Sequence, residues 1–518
     1  MVSRSPRIRA AACVGLTGLH VLAMLAAFCV PAAAFWEASR ALWSTPASNE
    51  LPSSADIRRW LVLLGNTSIV VGVAVATALA LGSGAGLLAA RTDLPGRRAV
   101  RAAALIGACV PIYVSSAFFL ALAPRLIGFG SAAMCGVLYG LVYTPLATLT
   151  LGAAFRAVDW ELEDVALLDA GPMRVIHHVT LPHSAWAFVA TALLITLFVA
   201  TDFTIADLLI VRTFAEECYI QHQLDRRQAG PLLTALPLVV ALAVVLTAAH
   251  ARYRRVGELS PAGAEQSPRT FRLGRWRTPV AWLAGISLLA AVGVPLGTLL
   301  NRARPLEGLP RVIAGLVPEL RNTALLVLLG ATLVLLPAGG LAWHLARGHA
   351  VRWPLIPALI LLLVLPAPVV GITLTALLNR PGPLGHLYDS PLVVPLGYYV
   401  RFLPIAVLLL LPAARRVPTE LVWAARVDGC DSLGIARHVS WPAMRRDTVL
   451  AWLIVAILCT GEIGTTILVV PPGWETAAVR AFTLLHFGVY RDLAVLTLLA
   501  VGIILLPAGG LLWLLRRS

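Results

Sequence analysis

Two carboxylates, Asp202 and Glu462, stand inside long apolar stretches of this 518-residue chain. A charge at the centre of a membrane-crossing helix costs about 3 kcal/mol or more. Each acid must therefore face a protein interior, a wet cavity or an interface. A place on a solute path is one reading; a helix that ends earlier and leaves the acid interfacial is the other. Arg401 lies in a further apolar stretch and must either snorkel to an interface or pair with an acid. Asn66 and Asn322 open two such stretches and suit hydrogen bonds across helices or the capping of a helix start. The eleven His are scattered, and His177, His178 and His438 fall in polar loops. The seven Cys show neither metal-ligand nor disulfide spacing, so no metal site is expected. The chain has no Lys, which rules out a phosphate-binding Gly-rich loop of the Lys-Ser/Thr type. No nucleophile–base arrangement is visible. The chain is expected to be no enzyme and to hold no cofactor of its own.

The elements that must position these residues are membrane helices. The chain is 59% hydrophobic and 13% charged, with mean hydropathy +0.84. Its apolar residues run in blocks of about 20, the length that crosses a bilayer core as helix; a barrel would show alternating segments about half as long. We expect an all-α polytopic membrane protein of about 12 helices, at roughly 11–36, 61–90, 102–123, 134–155, 184–210, 231–250, 279–300, 322–346, 354–378, 391–413, 448–470 and 492–514. The first stretch lacks a small-residue cleavage site and reads as a retained helix. The net charge of +15 comes from Arg alone and concentrates in alternate loops. That is the positive-inside pattern and not a nucleic-acid surface. It places both termini and the Arg-rich segment 251–278 in the cytoplasm.

The halves repeat. Asn66-Thr67 returns as Asn322-Thr323, 256 positions on; Glu161-Leu162 returns as Glu420-Leu421 at 259, and Asp202 as Glu462 at 260. Six helices separate equivalent points, so the repeats are parallel, related by an axis along the membrane normal. The expected organisation is a first helix and outer loop (1–59), a first copy (60–250), a linker (251–278), a seventh helix and outer loop (279–320) and a second copy (321–514).

Each half carries a long polar loop before its fifth helix. The first runs from Glu161 through Glu163, Asp164, Val165, Ala166, Asp169, Ala170 and Gly171 to Leu181-Pro182. The second runs from Glu420 through Trp423, Ala424, Ala425, Asp428 and Gly429 to Val439 and Pro442. Both read as a short helix, a Gly break, an amphipathic stretch and a Pro at the mouth of the next helix. Acids at the start suit the positive helix end, Gly429 can take a backbone conformation that ends the helix, and Pro fits a turn or first-turn position.

These loops resemble the EAA loop of type I, binding-protein-dependent ABC importer permeases, whose pattern is Glu-Ala-Ala, three residues, Gly, nine residues, Ile-x-Leu-Pro. The second copy keeps this spacing, with Trp423 in the Glu position and Trp441 in the Leu position. The first is one residue shorter, so either Ala170 replaces the Gly or the Gly has moved to 171. The resemblance implies a MetI-like fold in a bacterial inner membrane. It implies that the loops dock on two copies of a cytoplasmic ATP-binding subunit, with a periplasmic binding protein delivering the solute. The fused two-copy form, with Pro471–Thr476 and Thr483–His486, looks most like the ferric-iron permeases; related fused permeases serve thiamine and other small solutes. A twelve-helix secondary transporter is the rival of another class, and an integral-membrane enzyme a second. Neither needs a matched pair of such loops.

Overall fold

Apolar stretches of this length satisfy their backbone away from water by forming helices, and the computed structural model is helical throughout. Besides residues 33 and 36, it describes residues 54–112, 131–224, 229–256, 270–274, 277–305, 307–347 and 352–517. The expected first helix at 11–36, the second half of the third, most of the Arg-rich linker and the extreme termini lie outside the described residues.

The first half contains α1 (Ser54–Arg91), α2 (Arg97–Cys109), α3 (Ala132–Ala157), α4 (Trp160–Asp169), α5 (Ala185–Thr201), α6 (Thr204–Leu208), α7 (Phe214–Leu224) and α8 (Ala229–Val256). The second contains α9 (Arg277–Leu288), α10 (Val294–Arg302), α11 (Leu309–Ala346), α12 (Arg352–Val364), α13 (Ala367–Leu378), α14 (Val393–Arg416), α15 (Thr419–Val427), α16 (Trp441–Thr460), α17 (Thr466–Val469), α18 (Ala477–His486) and α19 (Tyr490–Arg517). In each half the long entry helix lies along a central partner, α1 on α3 and α11 on α14, and the fifth expected helix, α5 or α16, packs on both. Glycines allow the first of these approaches: a Cβ on Gly140 would lie 2.5 Å from Thr77 Cβ, and one on Gly136 2.7 Å from the Val70 carbonyl. Small residues at a membrane helix seam serve this end.

Among the described residues, five single helices are long and apolar enough to cross a membrane, and two bent pairs raise this to seven. Several expected helices are interrupted. The fifth stops at Thr201 and not near 210, and the eleventh stops at Thr460 and not near 470. The ninth is α12 and α13, bent by 107°. Pro366 explains that bend: it donates no N–H and disfavours helix at Leu365. The seventh widens into a π-helical turn over Leu289–Gly293.

After each interruption the chain turns back through a short helix, α7 or α18, before the last long helix. The two returns are held alike. Asn66 Nδ2 donates to the Arg212 carbonyl (3.0 Å), and Asn322 Nδ2 donates to the carbonyls of Gly473 (3.1 Å) and Glu475 (3.3 Å). Thr67 Oγ1 accepts from the Phe214 N–H, as Thr323 Oγ1 accepts from the Ala477 N–H. The adjacent Asn-Thr pairs thus bind the ends of the return loops, where turn carbonyls and first-turn N–H groups lack helical partners.

Asn322 is buried, so its removal leaves both carbonyls without a donor in a dry site. Asn322→Ala is expected to cost about 1–3 kcal/mol, read as a lower unfolding temperature of the purified protein in detergent. Asn66→Ala, which loses one bond, should cost less. An unchanged midpoint for Asn322→Ala would show that the clamp is not needed.

Candidate functional site: the paired loops and the helix breaks

The polar loops fold from their own capping chemistry. In the first, Asp159 caps α4 by accepting from the Glu161 N–H, and Glu161 and Glu163 lie in the first turn. In the second, Glu420 lies in the first turn of α15. Gly429 takes φ +79° beyond Asp428 and turns the chain sharply, as its type allows. The first loop ends otherwise. Asp169 closes α4, Ala170 is extended (φ −138°, ψ 149°), and Gly171 is extended too, with φ −69° and ψ 159°. Neither residue takes the left-handed conformation of Gly429, so the shorter loop turns by two extended residues. Both loops then pass through a π-helical turn, Ile176–Thr180 or Ala436–Ser440, immediately before Leu181-Pro182 or Trp441-Pro442. A proline without N–H interrupts the ordinary ladder there.

The outer faces of these helices are apolar. Leu162, Val165, Leu168 and Met173 are exposed in the first loop, and Leu421, Trp423, Val427 and Trp441 in the second. Leu162, Val165 and Leu168 lie three apart along one side of α4, and Trp423 and Val427 lie four apart on α15. Ala424 is exposed beside Trp423, Ala166 is half-buried, and Ala425 faces inward, packed with Val422 and Ile435 near Trp343 and Val439. Such patches, rimmed by Glu161, Asp169, Glu420 and Asp428, suit a protein contact.

The inner faces differ. Glu163 and Arg91, both with fully buried side chains, form an ion pair at 2.9 Å. Thr180 Oγ1 donates to Glu163 at 2.7 Å, and Arg91 donates to the Val158 carbonyl at 2.9 Å. The loop is thereby tied to the end of α1. In the second half Arg347 stands where Arg91 does and donates to the Val417 carbonyl at 3.3 Å. Val422 replaces Glu163, however, and the Arg347 guanidinium stacks 4.0 Å above the Trp343 ring. A charged latch in one copy is an aromatic stack in the other. The sequence reading missed Arg91 and Thr180; the match of Arg91 with Arg347 at the Asn66–Asn322 offset of 256 was the available signal.

Asp202 and Glu462 lie at the breaks after α5 and α16. Asp202 accepts from Tyr139 Oη (2.7 Å), Thr204 N (2.9 Å) and Thr204 Oγ1 (3.1 Å). Glu462 accepts from Thr465 N (2.8 Å), Thr466 N (3.0 Å) and Thr466 Oγ1 (2.6 Å), with Arg401 Nε 3.7 Å away. The second break is longer, and the longer Glu spans it. Both acids therefore satisfy backbone N–H groups freed by the breaks. Arg401 pairs inside the protein and does not snorkel.

On the returns, Glu217 of α7 pairs with Arg59 of α1, and also with Arg212 at 3.6 Å. At the matching place on α18, Arg480 pairs with Glu319 of α11 at 3.7 Å. The signs are reversed between copies. Among the described residues, polar contacts between the halves include His486 Nε2 at 3.0 Å from Asp207 Oδ2, with His486 Nδ1 meeting the Phe482 carbonyl, and Arg277 Nε of α9 at 3.9 Å from Asp93 Oδ2. Thus the Pro471–Thr476 turn leads, through α18, to a contact with the first half. Among the described residues no three His, Cys, Asp or Glu gather into a set able to hold a metal ion.

Comparison with known proteins matches residues 82–256 to the family described as binding-protein-dependent transport system inner membrane component. The Fe(3+)-transport system permease protein FbpB 2 of Haemophilus influenzae is 23% identical over 433 residues, covering 82% of this chain and 84% of that protein. The trehalose transport system permease protein SugB of Mycobacterium tuberculosis is 28% identical over 187 residues, 33% of this chain and 68% of its own. The putative 2-aminoethylphosphonate transport system permease protein PhnV of Salmonella paratyphi A is 40% identical over 70 residues, 14% of this chain and 26% of its own.

Two outcomes follow from the geometry. Glu163→Ala leaves Arg91 charged and unpaired in a buried site and should cost about 3–5 kcal/mol. Glu163→Ala with Arg91→Met should recover most of that, because two apolar groups leave no orphan charge. Thermal unfolding of the purified variants reads both, and an equal loss in the double variant would refute the latch. The second outcome concerns pH. Donation of a hydrogen bond to Asp207 raises the His486 pKa above its ordinary 6.5. A raised folded-state value means that the contact stabilises fully below about pH 6.5 and fades as pH rises through the raised value. The unfolding temperature of the parent should exceed that of His486→Asn most in mild acid, and the two should converge in mild alkali. Burial and the neighbouring Glu217 push Glu216 up to about 7, in the same window, but Glu216 is common to both proteins. A difference that grows with pH would overturn the assignment.

Proposed function

We propose that this chain, a permease subunit of the binding-protein-dependent ABC importers, admits ferric iron delivered by a periplasmic binding protein. The class accounts for the form of the molecule: an apolar helical bundle of the inner membrane, with ATP hydrolysis on a separate subunit. The iron reading is carried by one observation, the likeness to an Fe(3+) permease that runs over 82% of the chain and so through parts of both halves.

The two loops are the contacts for the ATP-binding subunits, one on each, giving two such subunits for each copy of this chain. What supports this is the exposed apolar face on α4 and again on α15, with acids at its rim. In this arrangement the loops, both termini and the Arg-rich segment lie in the cytoplasm, as the distribution of Arg favours. Closure of the ATP-binding subunits moves α4 and α15. The Arg91–Glu163 pair passes that motion to α1, and the packing of Val422 and Ala425 passes it to α11. The breaks at Asp202 and Glu462 border the path, and the outer returns α7 and α18 face the binding protein. A phosphonate is the second reading, favoured by the 40% identity over 70 residues with a permease named for 2-aminoethylphosphonate.

The test is uptake of labelled iron by a strain lacking this gene, with labelled thiamine as control, alongside the native mass of the complex purified on a tagged ATP-binding subunit. We expect iron uptake to fall to background, thiamine uptake to persist, and the mass to fit one permease with two ATP-binding subunits. Persistent iron uptake with loss of thiamine uptake would refute iron. A complex holding one ATP-binding subunit, or none, would refute the paired docking.

A further inference from the structure

The seam between the halves holds a charged side chain, Arg401, against a small cavity. A cavity of about 10 Å³, roughly the room of one water molecule, lies on the seam between α5 of the first half and α12 and α14 of the second. Leu197, Phe198 and Thr201 line it from one side, and Leu363, Phe402 and Arg401 from the other. Every lining group named except Thr201 and Arg401 is apolar. Arg401 sits well inside α14, and its side chain keeps 15% exposure. Among the described residues its guanidinium makes no hydrogen bond. Its nearest carboxylate in an ion pair, Glu462, is 3.7 Å from Nε, beyond hydrogen-bond length, and Asp202 lies within electrostatic range. The oxygens of Glu462 are already taken by Thr465 and Thr466, and those of Asp202 by Tyr139 and Thr204. The position matching Arg401 in the first half is Val142, so the charge is not part of the repeated scaffold.

An ionisable side chain at membrane depth that lines a cavity and keeps free donors marks a solute site. Guanidinium is a planar donor suited to carboxylate and phosphate oxygens. We propose that Arg401 is an oxyanion-binding residue of the translocation path, and that iron passes it as a complex capped by a carboxylate or phosphate ligand and not as the bare cation. This inference rests on the iron reading for its passenger and on the seam geometry for its chemistry. A ligand whose charge offsets that of the metal removes the repulsion that Arg401 would exert on a bare ferric ion. It also gives the free donors of Arg401 something to hold.

The experiment uses the full complex in proteoliposomes with iron-loaded binding protein. Iron carries one radiolabel, and the anion carries a second, as labelled citrate in one arm and labelled inorganic phosphate in the other. We expect one of the two anions to enter in fixed ratio to iron, which identifies the source of the oxyanion. Arg401→Gln should lower iron uptake about tenfold, the loss expected for one charge-assisted contact, and Arg401→Lys should lose less. Because Arg401 also neighbours Glu462, the double variant Arg401→Gln with Glu462→Gln serves as the control. Uptake that stays low in the double variant supports a contact with the passenger. Uptake restored to the parental rate shows that Arg401 only balances Glu462 and overturns the proposal, as does iron entering without either anion. If the parent moves no iron, the iron reading fails, and the same variants are assayed with labelled 2-aminoethylphosphonate. Uptake that depends on Arg401 then keeps the oxyanion site, and uptake that does not overturns it.

Discussion

A backbone N–H set free inside an apolar bundle has no water to turn to, and this constraint organises both halves of the molecule. α5 and α16 each stop short, and the chain must turn there while its amides stay paired. Asp202 and Glu462 meet that need, each accepting from the first amides beyond the break and from the hydroxyl of Thr204 or Thr466. With the breaks satisfied, the chain can return through α7 and α18. With the returns held by the Asn-Thr pairs of α1 and α11, the last long helix of each half is placed. An acid in an apolar stretch, costly in isolation, is here offset by the amides and hydroxyls it accepts from where the chain bends.

The duplicated plan keeps geometry more strictly than chemistry. Arg91 and Arg347 bond equivalent carbonyls, yet one completes its site with Glu163 and Thr180 and the other with the Trp343 ring. Glu217 pairs with Arg59, whereas Arg480 at the same place in the other copy pairs with Glu319. An ion pair can be inverted or exchanged for a stack because its function, holding two helices at one spacing, depends on complementarity and not on sign. The consequence is unequal halves. The first loop is fixed by a buried charge pair, which tolerates little displacement in a low-dielectric site. The second is fixed by apolar contacts, which are non-directional.

Much of this was legible in the residues. The helical class followed from the length of the apolar runs, the repeat from the constant offsets, and the helix end at Gly429 from its place after a helical run. Asn66 and Asn322 were read as bonding across helices or capping a helix start; they lie well inside α1 and α11 and bond to carbonyls of the return loops. Less legible were the helix ends. An apolar run such as 184–210 shows no change in hydropathy at Asp202, because the short return that follows is itself buried, so hydropathy alone cannot separate a span from a re-entrant segment. The ion pairs were invisible for another reason. Arg91 and Glu163 are 72 positions apart, and only the packing of α3 between them brings the two ends together. Arg401 carried the reverse difficulty: its cost in an apolar stretch was plain, while the acid beside it came from another helix.

The directional and non-directional contacts are also sorted in space. Among the described residues the Asn clamps, the carboxylate caps, the Arg91 latch and the charge-reversed pairs each stay within one half. The seam between the halves is mostly apolar. One cluster joins Leu63, Leu197, Phe214 and Leu242 with Val364 of α12, and another joins Val110, Phe203 and Ala215 with residues of α18 and α19. Among the described residues, the ion pairs that cross it, His486–Asp207 and Arg277–Asp93, involve partly exposed side chains. Hydrogen bonds and buried ion pairs lose their value within a fraction of an ångström and so keep each half as one body. Apolar surface retains most of its value when it slides, because burial and not direction sets its energy. A molecule built this way can change the relation of its halves without breaking either one.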